Sequence, residues 1–367
     1  MPRSHVNSQR LLEFLKQICE IPAPTFFEEQ RGQFMAELWQ RMGLSPVIDT
    51  VGNVLATLEG SGPKVLLAAH LDTVFAADVD VTIKEKADRW YAPGIGDNSA
   101  SLAVLSYYLE TVIAEHLPLL RLTVAATVGE EGLGDLRGIR EVLKHQTFDM
   151  VIALDGHVGT VVHQGVGSKR FEVTFKARGG HSWGDYPSPS AIHALAEAVH
   201  SLNKMVIPQE PRSSFNIGQI KGGTSVNAIA EEAWFNLDLR SLDEQVLQSL
   251  EQDALRRIQR SVREHQVEVS VIPVGDRPAG VCPNAPLVET AKRVLHHLSI
   301  PVKVTASSTD ANAAMSLGIP AIAFGVYRGG DAHRLSEWLE PKSLATGFLA
   351  LESLMASIQK GLEARDQ

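Results

Sequence analysis

Six positions in this 367-residue chain carry side chains that could act together in chemistry. His70 directly follows the apolar run KVLLAA (64–69), and Glu130 and Glu131 follow RLTVAAT (121–127) after a Val-Gly turn. Asp155 directly follows DMVIAL (149–154), and His333 lies in the loop after IPAIAFG (319–325). Asp97 stands in GIGDNSAS, where glycines allow a sharp approach of the chain and a helix is expected to begin immediately after the acid. Carboxylates gathered this densely repel one another and resist desolvation. Divalent ions resolve the conflict: two imidazoles and three carboxylates suit a pair of borderline ions such as zinc, with one carboxylate bridging ions roughly 3.5–4 Å apart. Nitrogen and oxygen donors select weakly among first-row metals, so cobalt and manganese fit the same set. Such a centre activates water and polarises carbonyls, which is hydrolytic chemistry.

Each residue also has an ordinary reading. Asp97 alone would serve as a helix N-cap, and Glu130 with Glu131 would make a solvated acidic turn. His157 and His163, also near a strand end, are read as structural or substrate-facing rather than as ligands. The joint placement of five ligands and one further glutamate argues for the metal centre. Asp72, two residues after His70, is expected to orient the imidazole through its other nitrogen.

Four strand ends must deliver these groups to one place. The four apolar runs read as buried parallel strands, and in a parallel sheet carboxyl ends share one edge, where ligands bind. Between them Leu102, Leu105, Leu109, Val112 and Ile113 share one helical face, as do Leu287, Val288, Ala291, Val294, Leu295 and Leu298. The fold class is therefore α/β, a mostly parallel mixed sheet covered by helices. Between 167 and 276 the rhythm changes to SKRFEVTFKA, PSAIHALAEAVHSL, SFNIGQIKGG with EEAWFNLDLRS, DEQVLQSLEQDALRRIQRSVREH and VEVSVIPV. That is the βαββαβ order of ferredoxin-like folds. The expected organisation is a catalytic domain of 1–166 and 277–367 interrupted by a small domain of 167–276.

With 44% hydrophobic and 21% charged residues, and no apolar run long enough to span a bilayer, the composition is that of a globular protein. The N-terminal stretch mixes charges with helically spaced apolar residues, so a cytoplasmic location and no membrane association are expected. A net charge of −9 without a basic cluster argues against nucleic acid as a partner. Cys19 and Cys282 lack a CxxC context and are read as buried thiols. GIGDNSA lacks the third glycine of a dinucleotide fingerprint and the Lys-Ser/Thr of a P-loop, which sets a nucleotide-binding reading aside.

AAHLDTVF, GIGDNSAS, TVGEEGLG, IALDG and the late GGDAHRLSE together resemble the dinuclear-zinc exopeptidases and deacylases. That family includes peptidase T, glutamate carboxypeptidase, acetylornithine deacetylase, succinyl-diaminopimelate desuccinylase and aminoacylase. TVGEEGLG is nearest in motif to peptidase T. The resemblance implies that His70 and Asp155 hold one metal, Glu131 and His333 the other, and that Asp97 bridges, with a cis peptide bond after it. Glu130 becomes the general base. Asn98 and Ser99 stand where many relatives carry a second Asp or a Lys, which leaves the subfamily open.

In the small domain, RGGHSW resembles the family's glycine-histidine motif, so His181 would stabilise the developing oxyanion, in dimeric relatives at the partner's site. Asn227 in GGTSVNAI and Arg240 in NLDLRS resemble positions that contact substrate, although an ion pair with Asp238 would equally occupy Arg240. An edge strand of the inserted sheet would leave backbone groups unpaired, and pairing across a two-fold axis would satisfy them, so a homodimer through 167–276 is expected. The implied activity is cleavage of an amide bond in a small peptide by an aminopeptidase or di/tripeptidase, using water activated by two divalent metals, zinc before cobalt or manganese. The alternative is a deacylase or aminoacylase acting on N-acyl amino acids. A catalytically silent binding relative is disfavoured because all six positions are present.

Overall fold

The computed structural model describes residues 6–60, 62–115 and 120–363. The chain divides into two compact units, Met1–Gly165 with Val281–Gln367, and Val166–Gly280. The small domain expected at 167–276 lies inside the second unit, which continues to Gly280.

In the first unit eight strands form one sheet in the order Val47–Ile48, Val54–Leu58, Arg121–Thr127, Lys64–His70, Met150–Leu154, Ala321–Phe324, Thr160–Gly165 and Lys303–Ser307. The run of four from Arg121–Thr127 to Ala321–Phe324 is parallel throughout, so those carboxyl ends share one edge. Alternate side chains of Lys64–His70 serve two cores. Val65, Leu67 and Ala69 pack with apolar residues of helices Ser8–Cys19, Ser101–Ala114, Ala285–His297 and Ser343–Glu363. Leu66 and Ala68 pack with residues of Arg137–His145 and Ala311–Ser316. Cover on both faces is why these strands read as unbroken apolar runs.

The first helix follows from its spacing: Leu11, Phe14, Leu15 and Ile18 form its buried stripe, and the Asn7 side chain caps it by accepting from the Arg10 N–H at 3.1 Å. An ion pair from Arg10 to Glu110, at 2.6 Å, ties it to Ser101–Ala114. Two expectations need correction here. The helix after Asp97 becomes regular only at Ser101, because Ile95–Ala100 form a wide turn in which Asp97 (φ −100°, ψ 94°) and Asn98 are not helical. Asp97 therefore does not cap a helix. Of the two cysteines, both free, only Cys19 is buried; Cys282 is half-buried. Among the described residues no helix is long and apolar enough to cross a membrane.

The second unit is a four-stranded antiparallel sheet in the order Ser213–Gly222, Glu232–Ser241, Gly167–Lys176, Glu268–Arg277. Helices Ala191–Leu202 and Glu244–His265 cover one face, which completes the βαββαβ pattern. Phe171, Val173 and Phe175 alternate with polar neighbours and meet Phe235, Leu237 and Leu239 in its core. Asp243 caps the longer helix by accepting from the Val246 N–H at 2.9 Å, and Gln266 ends it in a left-handed conformation.

One contact between a helix and a loop in the first unit sets a tight tolerance. Gly347 lies within Ser343–Glu363, and a Cβ there would overlap the backbone carbonyl of Val326. Alanine gains about 1 kcal/mol of helix propensity over glycine. Overpacking against backbone costs about 1–3 kcal/mol and wins. Gly347→Ala should therefore lower the guanidinium midpoint of unfolding; a raised midpoint would show that the approach is loose.

Candidate metal centre

The parallel edge brings the expected residues together. His70 is the last residue of its strand and is buried; its Nδ1 lies 3.0 Å from the Asp72 carbonyl oxygen and its Nε2 lies 3.0 Å from Asp97 Oδ1. His333 Nε2 lies 3.1 Å from Asp97 Oδ2 and 2.8 Å from Glu131 Oε1. Asp97 thus offers one oxygen to each imidazole. His333 itself has a φ of +66°, a conformation uncommon for a residue with a side chain. Two sets of donor atoms, His70/Asp97/Asp155 and Asp97/Glu131/His333, each lie within 4.8 Å of one another and share Asp97. His70, Glu130 and Glu131 form a third such set. Glu130 Oε2 stands 4.0 Å from His70 Nε2.

The electrostatics test whether cations fit. Burial alone would lower the pKa of His70, but the nearby Asp72 carboxylate, the hydrogen bond to Asp97 and the charges of Glu130 and Asp97 raise it well above its ordinary value. Hydrogen bonds to Asp97 and Glu131 lift His333 to about 10. Burial raises the Asp155 carboxyl to about 7, helped by the charge of Asp97 and opposed by His70. Burial would raise Asp97 too, yet its bonds to His333 and His70 hold it below the usual carboxylate range. Upward shifts on both imidazoles and on Asp155 are the response of a carboxylate cluster short of positive charge. The donor set fits two divalent ions, since neutral imidazole and carboxylate are the ligands that zinc and its neighbours take.

Around this cluster, backbone N–H groups are held by buried carboxylates, most of them not anticipated from sequence. Asp72 accepts from the N–H of Glu130 and of Glu131, each at 2.9 Å, and from the Thr25 hydroxyl at 2.9 Å. Its carboxylate is 3.6 Å from His70 Nδ1, so the ring is oriented chiefly by the Asp72 carbonyl, and the carboxylate fixes the acidic turn. Glu28 accepts from the Gly129 N–H at 3.0 Å and pairs with Arg137 at 2.7 Å. Glu337 accepts from the loop that carries Asp97. Arg31, fully buried, donates to the carbonyls of Ile21 and Leu71, and burial lowers its pKa to about 10. No motif marks Glu28 or Arg31. Glu337 is signalled only by its place in HRLSEW, just beyond His333.

The peptide bond between Asp97 and Asn98 is cis, as the resemblance implies. The Asn98 amide donates to the Leu154 carbonyl at 2.9 Å, next to Asp155. His157 and His163 belong to none of the three sets. His157 Nδ1 accepts from the Gly329 N–H at 3.3 Å, with its ring 5.2 Å from that of Tyr327, and His163 lies half-buried in a strand. Val74, Leu133 and Leu335, each two residues beyond Asp72, Glu131 or His333, are exposed apolar side chains.

In the second unit, strand Gly180–His181 pairs with Ala228–Ile229, and the Ser182 N–H donates to the Asn227 carbonyl at 3.0 Å, so the two glycine-containing motifs are neighbours. His181 is exposed, and its Nδ1 accepts from the N–H groups of Trp183 and Gly184 at 3.2 and 3.3 Å. Asn227 Oδ1 accepts from the Ser225 hydroxyl at 2.9 Å. Arg240 Nε donates to Asp238 Oδ2 at 2.7 Å, the ion pair anticipated as its alternative partner.

Asp72→Asn keeps the shape but turns one acceptor into a donor facing the N–H of Glu130 or Glu131. We expect divalent-ion affinity to fall about 10–100-fold, the usual consequence of losing an outer partner of a metal site. Equilibrium dialysis measures it, and unchanged affinity would show that the acidic turn holds itself in place.

The chain aligns with only part of some relatives: at 41% identity over 69 residues it spans 20% of a Thermococcus kodakarensis protein described as a LysW-lysine/LysW-ornithine hydrolase and 19% of its own length. With the succinyl-diaminopimelate desuccinylase of Corynebacterium glutamicum the identity is 24%, covering 88% of this chain and 89% of that one. Among solved structures, a tripeptidase of Staphylococcus aureus superposes with a TM-score of 0.81 at 23% identity, covering 95% of this chain and 98% of that one. Aminopeptidase PepT of Bacillus cereus gives 0.79 at 21% identity, covering 96% and 99%. The dinuclear metal-binding peptidase YxeP of Bacillus subtilis gives 0.69 at 16% identity, covering 97% and 98%. These likenesses establish the fold. Peptidase family M20/M25/M40 matches residues 66–357, well over half of the sequence, and the chain therefore belongs to this family of hydrolytic enzymes.

Proposed function

We propose that the protein is a two-metal amide hydrolase that acts on short peptides as an aminopeptidase or di/tripeptidase. The observation that carries this reading is the pair of donor sets joined through Asp97, with Glu130 beside them. In it, His70 and Asp155 would hold one ion, Glu131 and His333 the other, and Asp97 would contribute to both; zinc suits the donors, and cobalt or manganese would serve. Bound ions would supply an acidified water and a polarised scissile carbonyl.

The remaining work falls to the protein. Glu130 sits on the same turn as Glu131, its backbone N–H fixed by Asp72, and it takes the proton of the attacking water and passes it to the leaving nitrogen. Because His181 Nδ1 accepts backbone N–H groups, a neutral ring carries its proton on Nε2, the donor needed for a developing oxyanion. Asn227 and Arg240 are assigned to polar groups of the substrate, Arg240 through the nitrogens that Asp238 does not engage. Exposed Val74, Leu133 and Leu335 favour substrates with apolar side chains. The full-length likeness to a desuccinylase supports a second reading, hydrolysis of N-acyl amino acids. A metal-loaded enzyme assayed on leucyl and phenylalanyl di- and tripeptides beside N-succinyl and N-acetyl amino acids separates the two.

Glu130→Gln should retain both ions and lose about 10²–10⁴-fold in kcat, the range typical of general base catalysis. Glu131→Gln should instead lose metal. Elemental analysis with peptide hydrolysis reads both, and full turnover by Glu130→Gln would remove it from the role of base.

Homodimerisation through the second unit is part of the proposal. Strand Ser213–Gly222 is an edge strand of its sheet, and Trp183, Tyr186 and Val226 in the same unit are exposed. If His181 serves the partner's site, mixing His181→Ala with Glu130→Gln chains should restore activity after subunit exchange. Verified exchange without recovery excludes the shared site.

A further inference from the structure

Glu337 is almost completely buried, at 1% exposure, and lies on the segment that also carries His333. Its Oε1 accepts from the N–H of Gly96 and of Asp97, and its Oε2 from the N–H of Gly94, all at 2.9 Å. The Glu337 carbonyl accepts from the Ala92 N–H at 3.2 Å, and its own N–H donates to the Arg334 carbonyl at 3.0 Å. The Asp97 loop is thus bound along its length to the stretch that follows His333. Its other side is closed: a Cβ on Gly96 would come within 2.6 Å of the Tyr327 ring, and one on Gly94 within 2.7 Å of the Thr73 side chain. Asp97 is not helical, so its N–H and those of the two glycines need an acceptor outside the turn. One carboxylate supplies all three bonds.

We propose that Glu337 is a positioning residue that holds Asp97 in the orientation joining the two donor sets, and that it couples Asp97 to His333 because the segment that carries Glu337 also carries His333. The inference rests on the two-metal reading of the centre. The Asp97 carboxylate must present Oδ1 toward His70 and Oδ2 toward His333 at once, and a rotation of its backbone loses both. Without Glu337, the freed N–H groups would seek helical partners and the turn would rotate with them. In Glu337→Gln an amide N–H faces at least one backbone N–H. In Glu337→Asp the charge is kept but drawn back by one methylene.

The test is cobalt(II) titration of the metal-free full-length chain, followed by visible absorption and calorimetry, with unfolding midpoints of the metal-free variants alongside. Leu58→Ala, a buried side chain opposite Leu122 at the amino end of the parallel strands, serves as the control for general destabilisation. We expect wild type to bind two ions. Glu337→Gln should bind them about 10–100-fold more weakly, the scale of outer-partner loss, with an altered cobalt spectrum; Glu337→Asp should fall between. Leu58→Ala should keep wild-type affinity and spectrum although it is less stable. If Glu337→Gln does not fold, weakened binding by Glu337→Asp relative to Leu58→Ala decides in favour. Wild-type affinity in the foldable variant, or an equal loss in Leu58→Ala, overturns the assignment of Glu337 and leaves the two-metal reading standing. A wild-type chain that binds no divalent ion overturns both.

Discussion

Negative charge at the carboxyl edge of the sheet is the constraint from which the surrounding architecture follows. Parallel strands end together, and here their ends and the adjoining loops deliver Asp97, Glu130, Glu131 and Asp155 into one volume with two imidazoles. The protein groups alone leave that charge poorly balanced: both imidazoles are shifted upward and the Asp155 carboxyl is pushed up to about 7. Divalent cations would balance it, and two of them beside a basic carboxylate would make the hydrolytic centre proposed above.

Holding such a cluster open requires that its loops not relax into ordinary secondary structure. Their backbone N–H groups are engaged by carboxylates set one step back. Glu28 takes Gly129, Asp72 takes Glu130 and Glu131, and Glu337 takes Gly94, Gly96 and Asp97. Two of these anchors are themselves buttressed, Glu28 by Arg137 and Asp72 by Thr25. Charge-assisted bonds of this type are stronger than neutral ones, which suits loops that must resist both repulsion and helix formation.

That six candidate residues would converge was legible in the sequence because each follows an apolar run or a glycine-rich turn, and strand ends announce themselves by the change from apolar to charged. The βαββαβ order was legible for a related reason: Phe171, Val173 and Phe175 alternate cleanly. Of the anchors only Asp72 was singled out, for its place two residues after His70. Glu28 and Arg31 act through backbone carbonyls and N–H groups far away in sequence, and nothing in their neighbours' identities records that. The outer strands of the large sheet were missed because polar residues interrupt each apolar run: Thr57 in Val54–Leu58, His163 and Gln164 in Thr160–Gly165, and Lys303, Thr305 and Ser307 in Lys303–Ser307. The helix expected directly after Asp97 reflected a local rule that lost to the loop's anchorage on Glu337.

The interruption of the first unit has a consequence for vectorial synthesis. Strand Ala321–Phe324 lies between Met150–Leu154 and Thr160–Gly165, and Lys303–Ser307 completes the edge, so the large sheet stays unfinished until the ribosome has passed residue 324. The inserted unit suffers no such delay. Its first and last strands pair directly, Ser168 opposite Arg277, and its own core needs nothing from outside Val166–Gly280. On a growing chain it is the part able to fold first, while Met150–Leu154 waits with one flank unpaired and Thr160–Gly165 with neither of its neighbours yet made. Chaperone demand during translation would therefore concentrate on the amino-terminal half, and a stalled or truncated product ending before residue 321 would carry a finished small domain beside an aggregation-prone remnant.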